Sequence, residues 1–287
     1  MPKNNTICAV VVLYNPREEC YDNLLTYAHL VDKVYIVDNS DVVFYSKEVL
    51  KNRLQNVSFM LLSSGINVGI AEALDMALHQ AHRDGYKWLL TMDQDGSFDT
   101  LEFEKILQCI NCGDNGTVLL KAPLHTSKTL HEEKSNLCHL EKVDIVMTSG
   151  NLVHIVNALK IGGYDKKLFI DEVDHEFCLR GQLFGYDTLV FSSIYVNHQL
   201  GQLMKIGNKS YRIYPPTRVY YMLRNYLYLR DKYKVYKPLL FKKRTKFLKS
   251  FFFQHLLYSP QRVKCFYMLL RGWYDYKKCK FGSLNEN

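Results

Sequence analysis

The sequence predicts an α/β protein in which a central sheet is flanked by helices and followed by a helical, basic extension. Over the first two thirds, short apolar runs alternate with longer segments of helical periodicity, the pattern of a sheet covered by helices. Polar and acidic clusters fall directly after several of those runs, where an open α/β sheet collects its ligands. After Pro215-Pro216 the strand signals fade and Tyr, Phe, Lys and Arg take over. With 287 residues, 47% of them apolar and 23% charged, the chain can bury a substantial core, and disorder is excluded.

The first run, Ile7–Leu13, predicts a strand closed by Tyr14-Asn15-Pro16. Val34–Val37 predicts a second, closed by Asp38-Asn39-Ser40, and Val57–Leu62 a third. Ala71, Leu74, Leu78 and Ala81 recur at helical spacing, which predicts a helix from about Ile70 to Arg83, entered through Gly65, Asn67 and Gly69. Trp88–Met92 predicts the strand that delivers Asp93-Gln94-Asp95, and Thr117–Lys121 predicts another. Val173, Phe177 and Phe184 share one face of a helix from about Glu172 to Phe184. Strands follow near Thr188–Phe191 and Ile194–Asn197, the latter ending at His198. The expected domains are residues 1–215 and 216–287, the second a helical appendage.

Compartment and charge narrow the reading. The run Ile7–Leu13 is too short for a signal-peptide core, and no stretch approaches the roughly 18 apolar residues of a spanning helix. A cytosolic protein is expected. Its eight cysteines are irregularly spaced, with Cys109 and Cys112 as the one CxxC pair, so reduced structural thiols are expected rather than a zinc or redox centre. The net charge of +8 is asymmetric: from Tyr226 to Phe281, 15 Lys and Arg face only Asp231 and Asp275, leaving −5 for the remainder.

Asp93-Gln94-Asp95 places two carboxylates one residue apart at a strand end, where both can turn towards one hard cation. Taken alone, the same triplet also fits a solvated turn. No GxGxxG fingerprint and no GxxxxGK[ST] loop is present, which disfavours a nicotinamide enzyme or a P-loop NTPase. The amides at the helix start near Gly69 could approach a phosphate, or Asn67 and the glycines could simply shape a turn. Asp171-Glu172-Val173-Asp174-His175-Glu176 concentrates ionisable groups at a second helix start. Asp174 there is a candidate general base, with a capping role as the alternative. His198, at a strand end, could add a nitrogen ligand to the cation.

Read in order, Val11-Val12-Leu13-Tyr14-Asn15-Pro16, Val37-Asp38-Asn39-Ser40, Asn67-Val68-Gly69-Ile70-Ala71, Met92-Asp93-Gln94-Asp95, Ser149-Gly150 and Phe169 to Arg180 resemble family 2 glycosyltransferases. The likeness runs from about residue 6 to about 225 and is closest to the rhamnosyltransferase-like group. It implies the GT-A fold, a Rossmann-like mixed sheet flanked by helices. It also implies that Tyr14, Asn15 and Asp38 line the nucleoside pocket and that Asn67 and Gly69 border the nucleotide. Asp93 would lie near the ribose or metal, Asp95 would be the principal ligand of Mg2+ or Mn2+, and His198 would complete the metal shell. Asp174 would be the base, and Arg218 and Arg224 would hold the diphosphate or acceptor. Glu172 departs from the aromatic residue common among relatives, so it would alter the acceptor pocket or assist Asp174.

The resemblance therefore implies an inverting enzyme. L-Rhamnose from dTDP-β-L-rhamnose, or a sugar from a UDP-linked galactofuranose, hexose or N-acetylhexosamine, would pass to a polyprenyl-diphosphate-linked glycan of bacterial surface polysaccharide such as O-antigen or capsule. An inactive nucleotide- or glycan-binding relative is the rival from another class, and a sugar nucleotidyltransferase is disfavoured because Tyr14-Asn15-Pro16 stands where a Gly-rich loop is needed. The basic, aromatic tail, with Lys242-Lys243-Arg244 and Lys246 beside Phe251-Phe252-Phe253, suits peripheral association with the anionic cytoplasmic face of the inner membrane. A helical cap is the plainer reading, and nucleic acid is not expected as a partner.

Overall fold

The computed structural model describes residues 7–42, 47–126, 138–198, 203–206 and 209–284. Its elements run β1 (Ile7–Leu13), α1 (Glu19–Ala28), β2 (Val34–Asp38), α2 (Lys47–Arg53), β3 (Phe59–Ser63), α3 (Gly69–Arg83) and β4 (Trp88–Asp93). Next come β5 (Gly96–Ser97), α4 (Thr100–Cys109), β6 (Val118–Thr126), β7 (Leu140–Lys142), β8 (Asn151–His154), α5 (Ile155–Lys160), α6 (Val173–Leu183) and β9 (Asp187–His198). The chain closes with β10 (Leu203–Ile206), β11 (Lys209–Arg212), α7 (Pro216–Tyr233), α8 (Pro238–Tyr258) and α9 (Arg262–Lys277). Two compact units result: Met1–Asp165 with Phe177–Gln199, and Lys166–Glu176 with Leu200–Asn287.

The first unit is built on a mixed sheet ordered β3-β2-β1-β4-β8-β6-β9-β5, with β7 on β9. β3, β2, β1 and β4 are mutually parallel, and β1 and β2 are buried along their whole length. Continuous apolar runs such as ICAVVVL are what a parallel sheet covered on both faces requires. α3 supplies part of that cover through small residues, Ala71, Ala73, Ala77 and Ala81, set between Leu74 and Leu78. Strand register then decides where the chemistry goes. Leu13 pairs with Asp38, Val12 with Asp93 and Asp38 with Ser63, so the polar strand ends share one edge of the sheet.

Two expectations are corrected. The strands expected at Thr188–Phe191 and Ile194–Asn197 are a single strand, β9. Its polar Ser192-Ser193 step breaks the apolar pattern, but the strand continues through a register irregularity between Ala122 and Leu124 of β6, where Pro123 supplies no N–H. The cysteines are not all free thiols either: Cys109 and Cys138 are joined in a disulfide. Their separation of 29 residues hid the pairing from any local spacing rule.

In the second unit α7 and α9 pack closely because Gly272 leaves room. A Cβ there would lie 2.9 Å from the Tyr220 carbonyl oxygen. The Tyr220 hydroxyl donates to Asp275 at 2.8 Å in the same buried seam. Among the described residues no helix is long and apolar enough to cross a membrane.

Candidate functional site

In the first unit, β4 ends on Asp93 and β5 begins on Gly96, so Gln94 and Asp95 form the intervening turn. β5 pairs antiparallel with the end of β9, setting Gly96 opposite His198. That register carries the imidazole to the carboxylates: His198 Nε2 lies 3.5 Å from Asp93 Oδ2 and 3.2 Å from Asp95 Oδ1. All three ligand atoms fall within 4.8 Å of one another. The turn rests on Ser149-Gly150. The Asp93 N–H donates to Ser149 Oγ, and a Cβ on Gly96 would meet that oxygen at 2.4 Å. Gly150, at φ 87°, brings its own N–H to the Thr91 carbonyl.

Behind His198 stands His125, with the two Nδ1 atoms 3.2 Å apart. Burial, and after it the neighbouring His198, push His125 down to about 4, so it is neutral around pH 7. A neutral His125 can accept an N–H from His198 Nδ1, which leaves the Nε2 lone pair facing the carboxylates. That is the arrangement by which an outer partner orients a metal-ligating histidine. Two carboxylates and one imidazole are a donor set fitted to Mg2+ or Mn2+.

The neighbouring strand ends are tied together by side chains. The Tyr14 N–H donates to Gln94 Oε1 at 2.9 Å and the Asn15 N–H to Ser40 Oγ at 2.9 Å, with Asn15 left-handed at φ 46°. Asp38 is buried and accepts from the Ser40 N–H, while the Tyr14 ring is exposed. At the start of α3, the Val68 N–H donates to Asn39 Oδ1 and the Gly69 N–H to Asn67 Oδ1. These two amides are already engaged, so Asn39 and Asn67 shape the turn at Gly69, which sits at φ 83°.

The second unit contains the other acidic centre. Asp171 and Glu172 are both left-handed, at φ 63° and 66°, a conformation that costs non-glycine residues about 1 kcal/mol or more each. The surroundings enforce it. Asn225 Nδ2 donates to the carbonyls of Ile170 and Asp171 at 2.7 and 3.0 Å, and Arg218 grips the Asp171 carboxylate at 3.1–3.3 Å. Glu172 is paired with Arg244 and lies 3.1 Å from His175 Nδ1.

Burial raises the Asp171 carboxyl, against the pull of Arg218. Burial would raise Glu172 too, but Arg244 and His175 outweigh it and hold the carboxyl below its usual value. Burial works against a charged His175, yet Asp174 and Glu172 together hold it above the usual histidine value. Asp174, the second residue of α6, is half-buried and accepts from the His175 N–H at 2.8 Å.

Arg224 is corrected. It is fully buried, donating to Asn225, the Tyr220 hydroxyl and the Gly282 and Lys167 carbonyls, between the rings of Tyr220, Tyr221 and Phe281. Its guanidinium is used by the fold and is closed to a ligand. Arg218 keeps a partly exposed side chain, its guanidinium over the Tyr214 ring. Sequence reasoning missed His125 and Gln94, and it put Arg244 in a basic run suited to a membrane, whereas Arg244 is paired with Glu172. Gln94 was inside the quoted Asp93-Gln94-Asp95 motif, whereas His125 and Arg244 carry no local signal.

Residues 9–162 match the family model described as glycosyl transferase family 2. Over 291 residues the chain is 28% identical to the dTDP-rhamnosyl transferase RfbF of Shigella flexneri, covering 92% of each. Among solved structures, GalNAc-T7 with UDP, GalNAc and Mn2+ is similar at TM-score 0.60 and 14% identity, over 92% of this chain and 59% of that one. S. aureus TarS 1-349 is similar at TM-score 0.56 and 12% identity, over 94% and 80%. For the longer TarS chain the values are 0.55 and 14%, over 89% of this chain, which spans only 44% of that one. At these identities the structural likeness is one of fold, the GT-A fold that the sequence resemblance implies.

Proposed function

The chain belongs to glycosyl transferase family 2 and is a glycosyltransferase, and from that premise we propose that it transfers L-rhamnose from dTDP-β-L-rhamnose to a lipid-linked glycan of bacterial surface polysaccharide. One observation carries the reading: Asp93, Asp95 and His198 converge at the ends of β4 and β9. The similarity to a dTDP-rhamnosyl transferase supports the choice of donor.

In this reading Asp95, with Asp93 and His198, holds Mg2+ or Mn2+. When bound, such an ion offsets the charge that develops on the departing nucleoside diphosphate. Asp38 bonds the pyrimidine, Tyr14 and Asn15 line the nucleoside, and Asn67 and Gly69 border the nucleotide. Asp174 takes the proton from the acceptor hydroxyl, whose oxygen attacks the anomeric carbon from the face opposite the leaving group. One base suffices for inversion, since no sugar–enzyme bond has to form and break. The product is then an α-L-rhamnoside. Glu172, ionised by Arg244 and His175, acts as a support for the Asp174 turn rather than as a second base, and Arg218 remains the candidate for the diphosphate or acceptor.

A lipid-linked acceptor requires the enzyme at a membrane surface, and α9 supports that association. Val263, Phe266, Tyr267, Leu270, Trp273 and Tyr274 recur along one helical face, each at least 50% exposed. The opposite face buries Cys265, Met268, Gly272 and Asp275. Arg262 and Lys264, Arg271 and Lys278 flank the outward stripe at helical spacing, so the apolar face is bordered by positive charge suited to anionic lipid. Wild type should float with vesicles containing anionic lipid, and Phe266→Glu/Leu270→Glu should not, while both turn over donor alike. Equal flotation of the two proteins would remove α9 from the membrane reading.

The donor reading is tested by calorimetric binding of dTDP and UDP, with and without Mn2+, to wild type and Asp95→Ala. Metal-dependent binding that prefers dTDP and is lost in the variant is expected. A preference for UDP would move the donor to a UDP-sugar, and binding of neither nucleotide would overturn the transferase mechanism.

A further inference from the structure

Three cysteine sulfurs converge in the first unit at a place the proposed reaction does not use. Cys109 ends α4, Cys112 lies in the turn that follows, and Cys138 comes from the segment leading into β7. Their sulfurs all lie within 4.8 Å of one another. Cys109 and Cys138 form the disulfide, and Cys112 stays a free, half-buried thiol beside it. A disulfide uses two sulfurs and gives no reason for the third.

The surroundings are built around that turn. Lys121 is fully buried, and its ammonium donates to the carbonyls of Ile110 and Cys112 at 2.6 Å each, fixing the turn that carries the CxxC pair. Gly113, at φ 66°, lets the turn approach the Cys138 segment, since a Cβ there would lie 2.9 Å from Leu140 Cδ1. Three thiolates around a divalent cation carry a net charge of −1, and Lys121 supplies the opposite charge next to them. Bonds of about 2.3 Å from zinc to sulfur set thiolates about 3.8 Å apart. The trio can reach that spacing once the sulfur–sulfur bond is opened.

We propose that Cys109, Cys112 and Cys138, when reduced, form a thiolate site for one soft divalent cation, Zn2+, and that the Cys109–Cys138 disulfide is the oxidised, metal-free form of that site. A dithiol reductant delivers two electrons and two protons to the disulfide and leaves as its own cyclic disulfide. Zn2+ then replaces the three thiol protons, which pass to solvent, and water completes the tetrahedral shell. Either form ties the end of α4 to the start of β7, so the crosslink persists in a reducing compartment with metal in place of the disulfide. Soft sulfur donors also keep this site chemically distinct from Asp93, Asp95 and His198, whose oxygen-rich set suits harder cations.

The test is titration of the full-length, pre-reduced protein with Cd2+ in the absence of air, following the ultraviolet thiolate-to-Cd2+ charge-transfer band, with Zn2+ as competitor. Carboxylate and imidazole ligands give no such band, so cation bound at Asp93 and Asp95 does not register. One equivalent should saturate the band, and Zn2+ should erase it. Cys112→Ser should weaken binding at least 100-fold, whereas Cys279→Ser, an exposed cysteine of the second unit, should leave it unchanged. No band in reduced wild type, or an undiminished band in Cys112→Ser, would overturn the site. Because Cys112 is half-buried and outside the disulfide, that variant should keep the wild-type circular dichroism and melting curve.

Discussion

Asp93, Asp95 and His198 reach one another from the ends of strands whose register is fixed elsewhere, whereas Asp174 and His175 open α6 directly after the strained pair Asp171 and Glu172. The first group is set by the sheet: parallel pairing aligns Val12 with Asp93, and β5 aligns Gly96 with His198. Its carboxylates are partly exposed, and no left-handed non-glycine residue lies within the Asp93–Asp95 turn. The second group is set by side chains, with Arg218, Arg244 and Asn225 holding two consecutive left-handed residues in place. A centre that borrows its geometry from a sheet can lose a side chain and keep its shape. A centre held by buried ion pairs loses stability along with any partner. Activity and stability should therefore separate in one centre and fall together in the other.

The largest effects test that separation directly. Asp95→Ala and Asp174→Asn should each reduce kcat by about 10² to 10⁴-fold, the range of one metal ligand or one general base. Only Asp95→Ala should abolish Mn2+-dependent nucleotide binding, and its melting temperature should match wild type. A loss of several degrees in Asp95→Ala would show that the first centre is not carried by the sheet alone. Full activity in Asp174→Asn would remove it as the base.

Next in size is Arg244→Met. It leaves the Glu172 carboxylate buried beside a single remaining partner, and loss of one member of a buried pair costs about 3 kcal/mol. Urea unfolding should show that loss in full length, and adding Glu172→Gln should restore part of it. Destabilisation equal to the sum of the two single variants would mean that the residues are not coupled.

The difference between the centres also explains what the sequence revealed. Ile7–Leu13 reads as a strand and is one, because a buried parallel strand is an uninterrupted apolar run, and its neighbours then fix Asp38 and Asp93 at the same edge. The Asp-x-Asp turn and His198 were legible for the same reason, since Asp93 closes β4 and His198 closes β9, each at the end of an apolar run. What was not legible depends on partners far along the chain. Arg244 meets Glu172 across 72 residues, and Arg224 is enclosed partly by the ring of Phe281. His125 lies inside a strand, where nothing local distinguishes a neutral histidine packed against His198 from one packed in a core. Ser192-Ser193 looks like a break, yet the strand runs on through it, with the extra residues of β9 taken up where its register against β6 shifts between Val190 and Tyr195. Pairing between parallel strands leaves a periodic trace, and a salt bridge across 70 residues leaves none.

Smaller effects sharpen the contrast through pH. His175 is held above its ordinary value in the folded state, so its contribution is fully present below about pH 6.5 and is lost as pH rises through the raised folded value. Glu172 is held below its ordinary value, so its contribution is present above about pH 4.5 and is lost as pH falls through the lowered folded value. The network is therefore strongest between the two. His175→Gln should cost about 1 kcal/mol near pH 5.5, and that difference should shrink as pH rises past the folded value. A cost independent of pH would mean that His175 acts by packing alone.

The smallest effect belongs to Arg218→Lys. Its guanidinium grips Asp171 with two nitrogens and lies over the Tyr214 ring 4.7 Å away, but the side chain is 44% exposed. Water screens the pair, and a lysine keeps the charge while losing the fork and the stacking, so the stability cost should stay below about 1 kcal/mol. Asp171 is nevertheless left-handed, and the fork is one of the contacts that keep it there. If Arg218 serves only the turn, kcat and KM should hardly change in the lysine variant. A rise in KM for donor or acceptor at unchanged stability would show instead that the exposed guanidinium binds substrate, and that the strained turn and the ligand share one arginine.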